Sequence, residues 1–136
     1  MSRLLFAAED AHINEAMMWI EAQCAVNGLG REIAACLAVV SEEVITNIVK
    51  YGGRPAPNVE LTVSYLPPSV QLTVIDDGVP FDPTSAPELE LSDDIELRSA
   101  GGLGLRLIRE MMDEVAYARD GGRNYLVLVK HVGPKP

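Results

Sequence analysis

The chain has 136 residues, 48% of them hydrophobic, with 20 acidic and 11 basic side chains and a net charge of −9. That length fits one domain with a single apolar core. The acidic balance excludes non-specific nucleic-acid binding, which rests on basic surface, yet it leaves room for a nucleotide, whose phosphates need only a few local donors.

Residues 3–8, Arg-Leu-Leu-Phe-Ala-Ala, read as a short strand. Asp10 is placed to cap the helix that follows. The apolar set of that helix is Ile13, Ala16, Met17, Ile20 and Cys24. Trp19 lies off this stripe and reads as packing, with a partner surface as the alternative. Asn27-Gly28-Leu29-Gly30 is a helix stop. A second helix is expected from about Arg31 to Tyr51. Its residues Ile33, Leu37, Val40, Val44 and Ile48 share one stripe at the 3.6-residue period. Ala38, Ile45 and Val49 make the other side apolar, so this helix is expected to be central. Gly52-Gly53 ends it, and Pro55 and Pro57 keep the next stretch out of helix.

Val59, Leu61, Val63 and Tyr65 alternate with polar residues, as do Val70, Leu72 and Val74. Each run is a half-buried strand, and Pro67-Pro68-Ser69 between them makes a hairpin. The chain leaves the sheet through Asp76-Asp77-Gly78-Val79-Pro80-Phe81. Residues from about 82 to 100 carry no period and six acids, five of them Glu88, Glu90, Asp93, Asp94 and Glu96, with Arg98 as the one basic side chain. A connection this long in a small domain reads as a lid or a disordered segment, and no catalytic role is assigned to it. Gly101, Gly102 and Gly104 then open an amphipathic helix. Residues 115–119 and 125–132 form a last hairpin around Asp120-Gly121-Gly122-Arg123.

Cys24 and Cys36 fall within helical patterns and read as buried free thiols. No apolar run reaches membrane-spanning length, and the N-terminus lacks the layout of a signal peptide. A cytoplasmic location without a membrane partner is the expectation. His12 and His131 have no acid or nucleophile pattern around them, so neither a triad nor a metal site is built on them.

Three places carry candidate chemistry. Glycines at a helix start bring backbone N–H groups and partial positive charge toward phosphate, although such starts are also plain turns. No strand directly precedes these glycines and no Lys-Ser/Thr follows them, which excludes the Rossmann and Walker arrangements. On the second helix, Glu43 and Asn47 are four residues apart and share a face at the edge of the buried stripe. They are either a pair satisfied by backbone groups or a base and a magnesium ligand, since magnesium needs few protein ligands. Lys50 lies on the Glu43 side and pairs with Glu43 or with phosphate. Asp76 is either a turn residue or the acceptor for an exocyclic amine, with Gly78 letting the backbone approach a flat ring.

Taken in order, Glu43-x-x-x-Asn47, Asp76-x-Gly78, a long lid and Gly101-Gly102-Leu103-Gly104-Leu105 resemble the boxes of the Bergerat ATP-binding fold of gyrase-type ATPases and histidine kinases. Asp-Asp-Gly-Val-Pro-Phe-Asp-Pro and Gly-Gly-Leu-Gly-Leu-Arg-Leu-Ile-Arg look most like the bacterial anti-sigma-factor serine-protein kinases. The resemblance spans nearly the whole chain. It implies one ATP-binding domain over residues 1–136, an α/β (α+β) two-layer sandwich. Its sheet would be mixed and mostly antiparallel, with helices on one face. It also implies ATP and Mg²⁺ as cofactors, Asn47 on the metal and Glu43 as the general base. Asp76 would bond the adenine amine, with Gly78 beside the ring. Gly101, Gly102 and Gly104, together with Leu103 and Leu105, would close over the phosphates. The implied partners are a STAS-domain anti-anti-sigma protein, whose serine is phosphorylated, and a sigma factor. A homodimer is common in such kinases. One departure stands out: Tyr51 occupies a position where the family often carries His, which unsettles any phosphate or lid contact made from there. The alternatives are a nucleotide-binding, sequestering module without phosphotransfer and a histidine-kinase ATP domain. The latter is disfavoured because no phosphoacceptor helix precedes the domain in these residues.

Overall fold

In the computed structural model, which describes residues 2–84 and 103–133 (the backbone alone for 103–105), the two periodicities of the chain separate into two layers. The period-two runs become β1 (Arg3–Ala7), β2 (Asn58–Leu66), β3 (Ser69–Asp76), β4 (Glu114–Asp120) and β5 (Arg123–His131). The 3.6-residue runs become α1 (Ile13–Val26), α2 (Arg31–Tyr51) and α3 (Leu103–Met111). The strands lie in the order β1-β2-β3-β5-β4. Among the described residues every pairing is antiparallel, so the antiparallel expectation holds and the mixed part of it is corrected: β2–β3 and β4–β5 join by hairpins, and no parallel crossover is formed.

Alternate strand residues face the helices. Val59, Leu61, Val70, Leu72, Val74 and Leu128 are buried there against Leu37, Val40 and Ile45 of α2. The 3.6-residue stripe of α2 is therefore the floor of the core, and α2 is central as expected. Trp19 packs half-buried against the same core, so packing is the correct reading of it. Both cysteines are free and buried. Burial pushes their thiols up, which keeps them protonated and unreactive.

One expectation fails locally. Asp10 does not cap α1: it lies inside a 3-10 turn, Asp10–His12, and the N-cap of α1 is His12 without a side-chain bond. The chain tightens into the i→i+3 pattern before the α-helix begins, which moves the helix start three residues past the expected cap.

The last helix is tied down at its C-terminal end. The carbonyl of Met111 accepts from Lys130 Nζ at 2.8 Å and from Cys36 Sγ at 3.6 Å. A cation on a terminal carbonyl satisfies an orphan acceptor and opposes the helix dipole. The β4–β5 turn is Gly121-Gly122, with φ of +57° and +77°. Both values suit the mirror-image turn that matches strand twist. This turn sets the register Arg119↔Asn124.

Candidate functional site

Three neighbouring strands place three polar residues in one row. Asp76 at the end of β3 lies opposite Asn124 on β5, and Asn124 lies opposite Arg119 on β4. Asp76 and Asn124 are 6% and 4% exposed. Buried polar groups are costly unless bonded, and here they bond each other. Asn124 Nδ2 donates to Asp76 Oδ1 at 3.0 Å and to the Val79 carbonyl at 2.8 Å. Asn124 Oδ1 accepts from Tyr117 Oη at 2.5 Å and from Arg119 Nη1 at 3.1 Å. The carboxamide thus has two donors and two acceptor positions in use, which fixes which way it points.

Asp76 Oδ1 also accepts from the Gly78 N–H at 2.9 Å. Among the described residues both of its bonds fall on this one oxygen. No buried side-chain oxygen or nitrogen there lacks a partner, so the second carboxylate oxygen reaches the surface of the cleft that Asp76 lines. Burial pushes the Asp76 carboxyl up from the ordinary range. The bonds from Asn124 and Gly78 and the charge of Arg119 pull it part of the way back.

Gly78 is at its position for want of space. A Cβ there would lie 2.7 Å from the Gly52 carbonyl, 2.9 Å from Asp76 Oδ1 and 2.9 Å from Pro57. The Val79 N–H donates to that same Gly52 carbonyl at 3.0 Å, and Arg119 Nη1 donates to the Gly78 carbonyl at 2.7 Å. The turn after β3 is therefore pressed onto the end of α2. Next to Asp76, Asp77 faces the other way. It accepts the backbone N–H of Asn58 at 2.7 Å and its side-chain amide at 3.0 Å, and these bonds hold its carboxyl below the usual range.

The opposite wall comes from α2. Asn47 is 5% exposed and lines the cleft with Val44 and Ile48. Among the described residues its carboxamide makes no hydrogen bond, so the reading of Asn47 as satisfied by backbone groups does not hold. Its amide atoms open toward the cleft, by the same reasoning as for Asp76. Glu43, one turn earlier, is half-buried and makes no hydrogen bond or ion pair among the described residues, and Lys50 is exposed. The Glu43–Lys50 pair is absent among the described residues: seven residues separate them, and each side chain extends on its own. Neither residue lines the cleft. Phe81 and Pro83 form its outer wall and Ile108 of α3 its far side. Tyr51 stacks on Phe81 with ring centroids 5.9 Å apart and planes 24° apart, which gives the departing residue a place in that wall.

Gly101, Gly102 and most of the expected lid lie outside the described residues. Leu103, Gly104 and Leu105 are present as the first backbone turn of α3. Asn47, Asp76 and Gly78 are brought together as expected. Asn124, Tyr117 and Arg119 escaped the sequence reading. The Gly121-Gly122 turn alone pairs Asn124 with Arg119, but nothing in the sequence says that β5 lies beside β3.

At its closed end the site presents a carboxylate oxygen facing a carboxamide across an apolar slot. Such an end accepts a hydrogen bond from a flat amine. The free amide oxygen of Asn47 suits a hard cation.

The chain matches the histidine kinase-like ATPase domain family over residues 6–130. It is 31% identical over 124 residues to the serine/threonine-protein kinase BtrW of Bordetella bronchiseptica, covering 89% of this chain and 87% of that protein. It is 34% identical over 114 residues to the serine-protein kinase RsbW of Listeria monocytogenes, covering 79% and 72%. Among solved structures, the SiaB–SiaC complex from Pseudomonas aeruginosa aligns over 96% of this chain and 89% of that one, with TM-score 0.60 and 17% identity. The catalytic domain of the histidine kinase ThkA aligns over 99% and 100%, with TM-score 0.57 and 12% identity. These two likenesses bear on the fold alone.

Proposed function

The chain belongs to the histidine kinase-like ATPase family and is a serine/threonine-protein kinase, and on that premise we propose that it phosphorylates a serine of a STAS-domain antagonist and regulates a sigma factor by partner switching. The observation that carries the nucleotide half of this reading is the closed end of the cleft. Asp76 has one oxygen pinned by Asn124 and Gly78 and the other left for a ligand. That oxygen accepts the adenine amine, and the apolar walls take the ring.

Asn47 fits a magnesium ion because its amide is buried, unpartnered among the described residues and directed at the cleft. Bound magnesium supplies charge neutralisation on phosphate oxygens. Asn47 would hold it through the amide oxygen, with phosphate and water as the other ligands. Glu43, unpaired among the described residues and one helical turn away, takes or orients the proton of the accepting serine hydroxyl. Lys50 at the end of α2 and the backbone of Gly101, Gly102, Leu103, Gly104 and Leu105 meet the phosphates. Such donors favour charge that develops in the transition state.

Among the described residues no helix is long and apolar enough to cross a membrane; a cytoplasmic location is part of the reading. β1 is an edge strand, and an open edge invites a second copy. A homodimer through β1 is part of the reading.

The test is incubation with labelled ATP and a purified STAS-domain protein. Label on a serine of that protein is expected. Nucleotide binding with a stable complex and no transferred label would make this chain a sequestering module instead.

A further inference from the structure

The outer wall of the cleft is a stretch without regular structure. After β3 the chain runs through Val79, Phe81 and Pro83 to Thr84. Its first half is held by the Val79 bonds and the Tyr51–Phe81 stack. Its second half contains Pro83, which has no N–H and cannot join the sheet ladder. The carbonyls there need donors from elsewhere. Asp82 folds the stretch into a turn by accepting the Thr84 N–H at 2.8 Å and its hydroxyl at 2.6 Å.

Across the cleft stands α3. Its Ile108 is 1% exposed and lines the slot. The next residue, Arg109, turns about 100° away and reaches over the rim. Its Nη2 donates to the Pro83 carbonyl at 3.1 Å and to the Thr84 carbonyl at 2.6 Å. One terminal nitrogen has two hydrogens, one for each carbonyl. Among the described residues, this guanidinium is what joins Pro83 and Thr84 to another element.

We propose that Arg109 is a positioning residue for nucleotide binding: it straps the Phe81–Pro83 wall to α3 and so sets the width of the slot that takes the base. The inference rests on the reading of this cleft as the adenine site. Arg109 acts through the wall and touches no reacting atom. Two neighbouring residues of one helix thus do two jobs, Ile108 supplying apolar surface and Arg109 holding the facing surface in place. The opposite face of the slot, Val44 and Asn47, sits on α2 and needs no strap.

The experiment uses the full chain with Arg109→Met, which keeps the aliphatic stem and removes the donors, and Arg109→Lys, whose ammonium has three donors for two carbonyls. Calorimetry is run with adenosine and with ADP. Arg109→Met is expected to raise Kd for both by the same factor, about three- to tenfold, the scale of one or two partly exposed hydrogen bonds. Arg109→Lys should recover most of the loss. Hydrogen exchange should speed up at residues 79–84 and stay unchanged in β3 and β5. The transfer rate at saturating ATP should be that of the wild type. A loss confined to ADP would assign Arg109 to phosphate charge and overturn the strap, as would an unchanged Kd or unchanged exchange at residues 79–84. If the wild type itself binds neither adenosine nor ADP, the adenine reading fails first, and Asp76→Asn serves as its control. Wild-type binding that Asp76→Asn weakens and Arg109→Met leaves alone overturns the strap only.

Discussion

The two sides of the cleft are built on opposite rules. On the sheet side, Asp76, Asn124, Tyr117 and Arg119 form a network in which Asn124 has every donor and acceptor position in use. On the α2 side, Asn47 and Glu43 make no hydrogen bond or ion pair among the described residues. A closed network has one low-energy arrangement and gives a rigid template. Groups without partners are kept for what arrives later. The sheet side is therefore a fixed template, while on the proposed reading the helix side is left open for metal and proton transfer.

The sharpest break would come at Glu43. Glu43→Gln removes the basic oxygen from a residue with no partner among the described residues, so the thermal midpoint and ATP affinity should hold. The single-turnover transfer rate at saturating ATP should fall by ~10²–10⁴-fold, the range of general-base help. A rate within about threefold of wild type, well short of that range, would remove Glu43 from the chemistry, and a parallel loss of affinity would make its role structural.

Asp76→Asn probes the other side. The substituted amide keeps an oxygen for Gly78 N–H and Asn124 Nδ2, so the network survives. It also puts an N–H₂ where the free carboxylate oxygen was, and donor meets donor at the adenine amine. ATP affinity should fall by ~1–3 kcal/mol, the cost of an unmatched polar group in a closed site. Titration calorimetry reads this directly, and an unchanged Kd would take Asp76 out of the adenine site.

Asn47→Ala should leave nucleotide bound with much less dependence on magnesium. The discriminating measurement is the ratio of Kd values with and without the ion. If mutant and wild type respond alike to added magnesium, Asn47 is not the ligand.

The smallest effects concern pH and contrast Asp76 with Asp77. The folded carboxyl of Asp76 is raised, so its contribution to stability is full below the ordinary aspartate value of about 3.9 and is lost as pH rises through the folded value. That of Asp77 is lowered, so its contribution is present above the ordinary value and is lost as pH falls through the folded one. Relative to wild type, Asp76→Asn should gain thermal stability from acid to neutral pH, and Asp77→Asn should lose it. Slopes of the same sign would contradict the opposite placement of these neighbours.

Periodicity and punctuation made most of the fold legible. The stripe from Leu37 to Ile48 and its Gly52 stop placed α2 between the residues where it is found, and the alternation around Pro67-Pro68 gave the central hairpin. Asn47, Asp76 and Gly78 were legible as motif residues. The rest depended on contacts that no local pattern encodes. The row Asp76–Asn124–Arg119 requires β5 beside β3. The contact of Arg109 with Pro83 and Thr84 crosses 26 and 25 residues. Asp10 misled because a good capping residue is also a good 3-10 turn residue, and the local hydrogen bonds chose the turn.

The row across β3, β5 and β4 has a consequence for how the protein is made. Asp76 and Asn124 are 48 residues apart, and the carboxylate emerges from the ribosome long before the amide that orients it. On the proposed adenine reading, a chain whose last hairpin has not docked has no template for the base. Nucleotide then favours only the finished molecule, by about 2.7 kcal/mol when its concentration is a hundredfold above Kd. Cellular ATP would act on this protein as a quality signal, sparing completed copies from proteolysis and leaving those with an undocked C-terminal hairpin exposed to it.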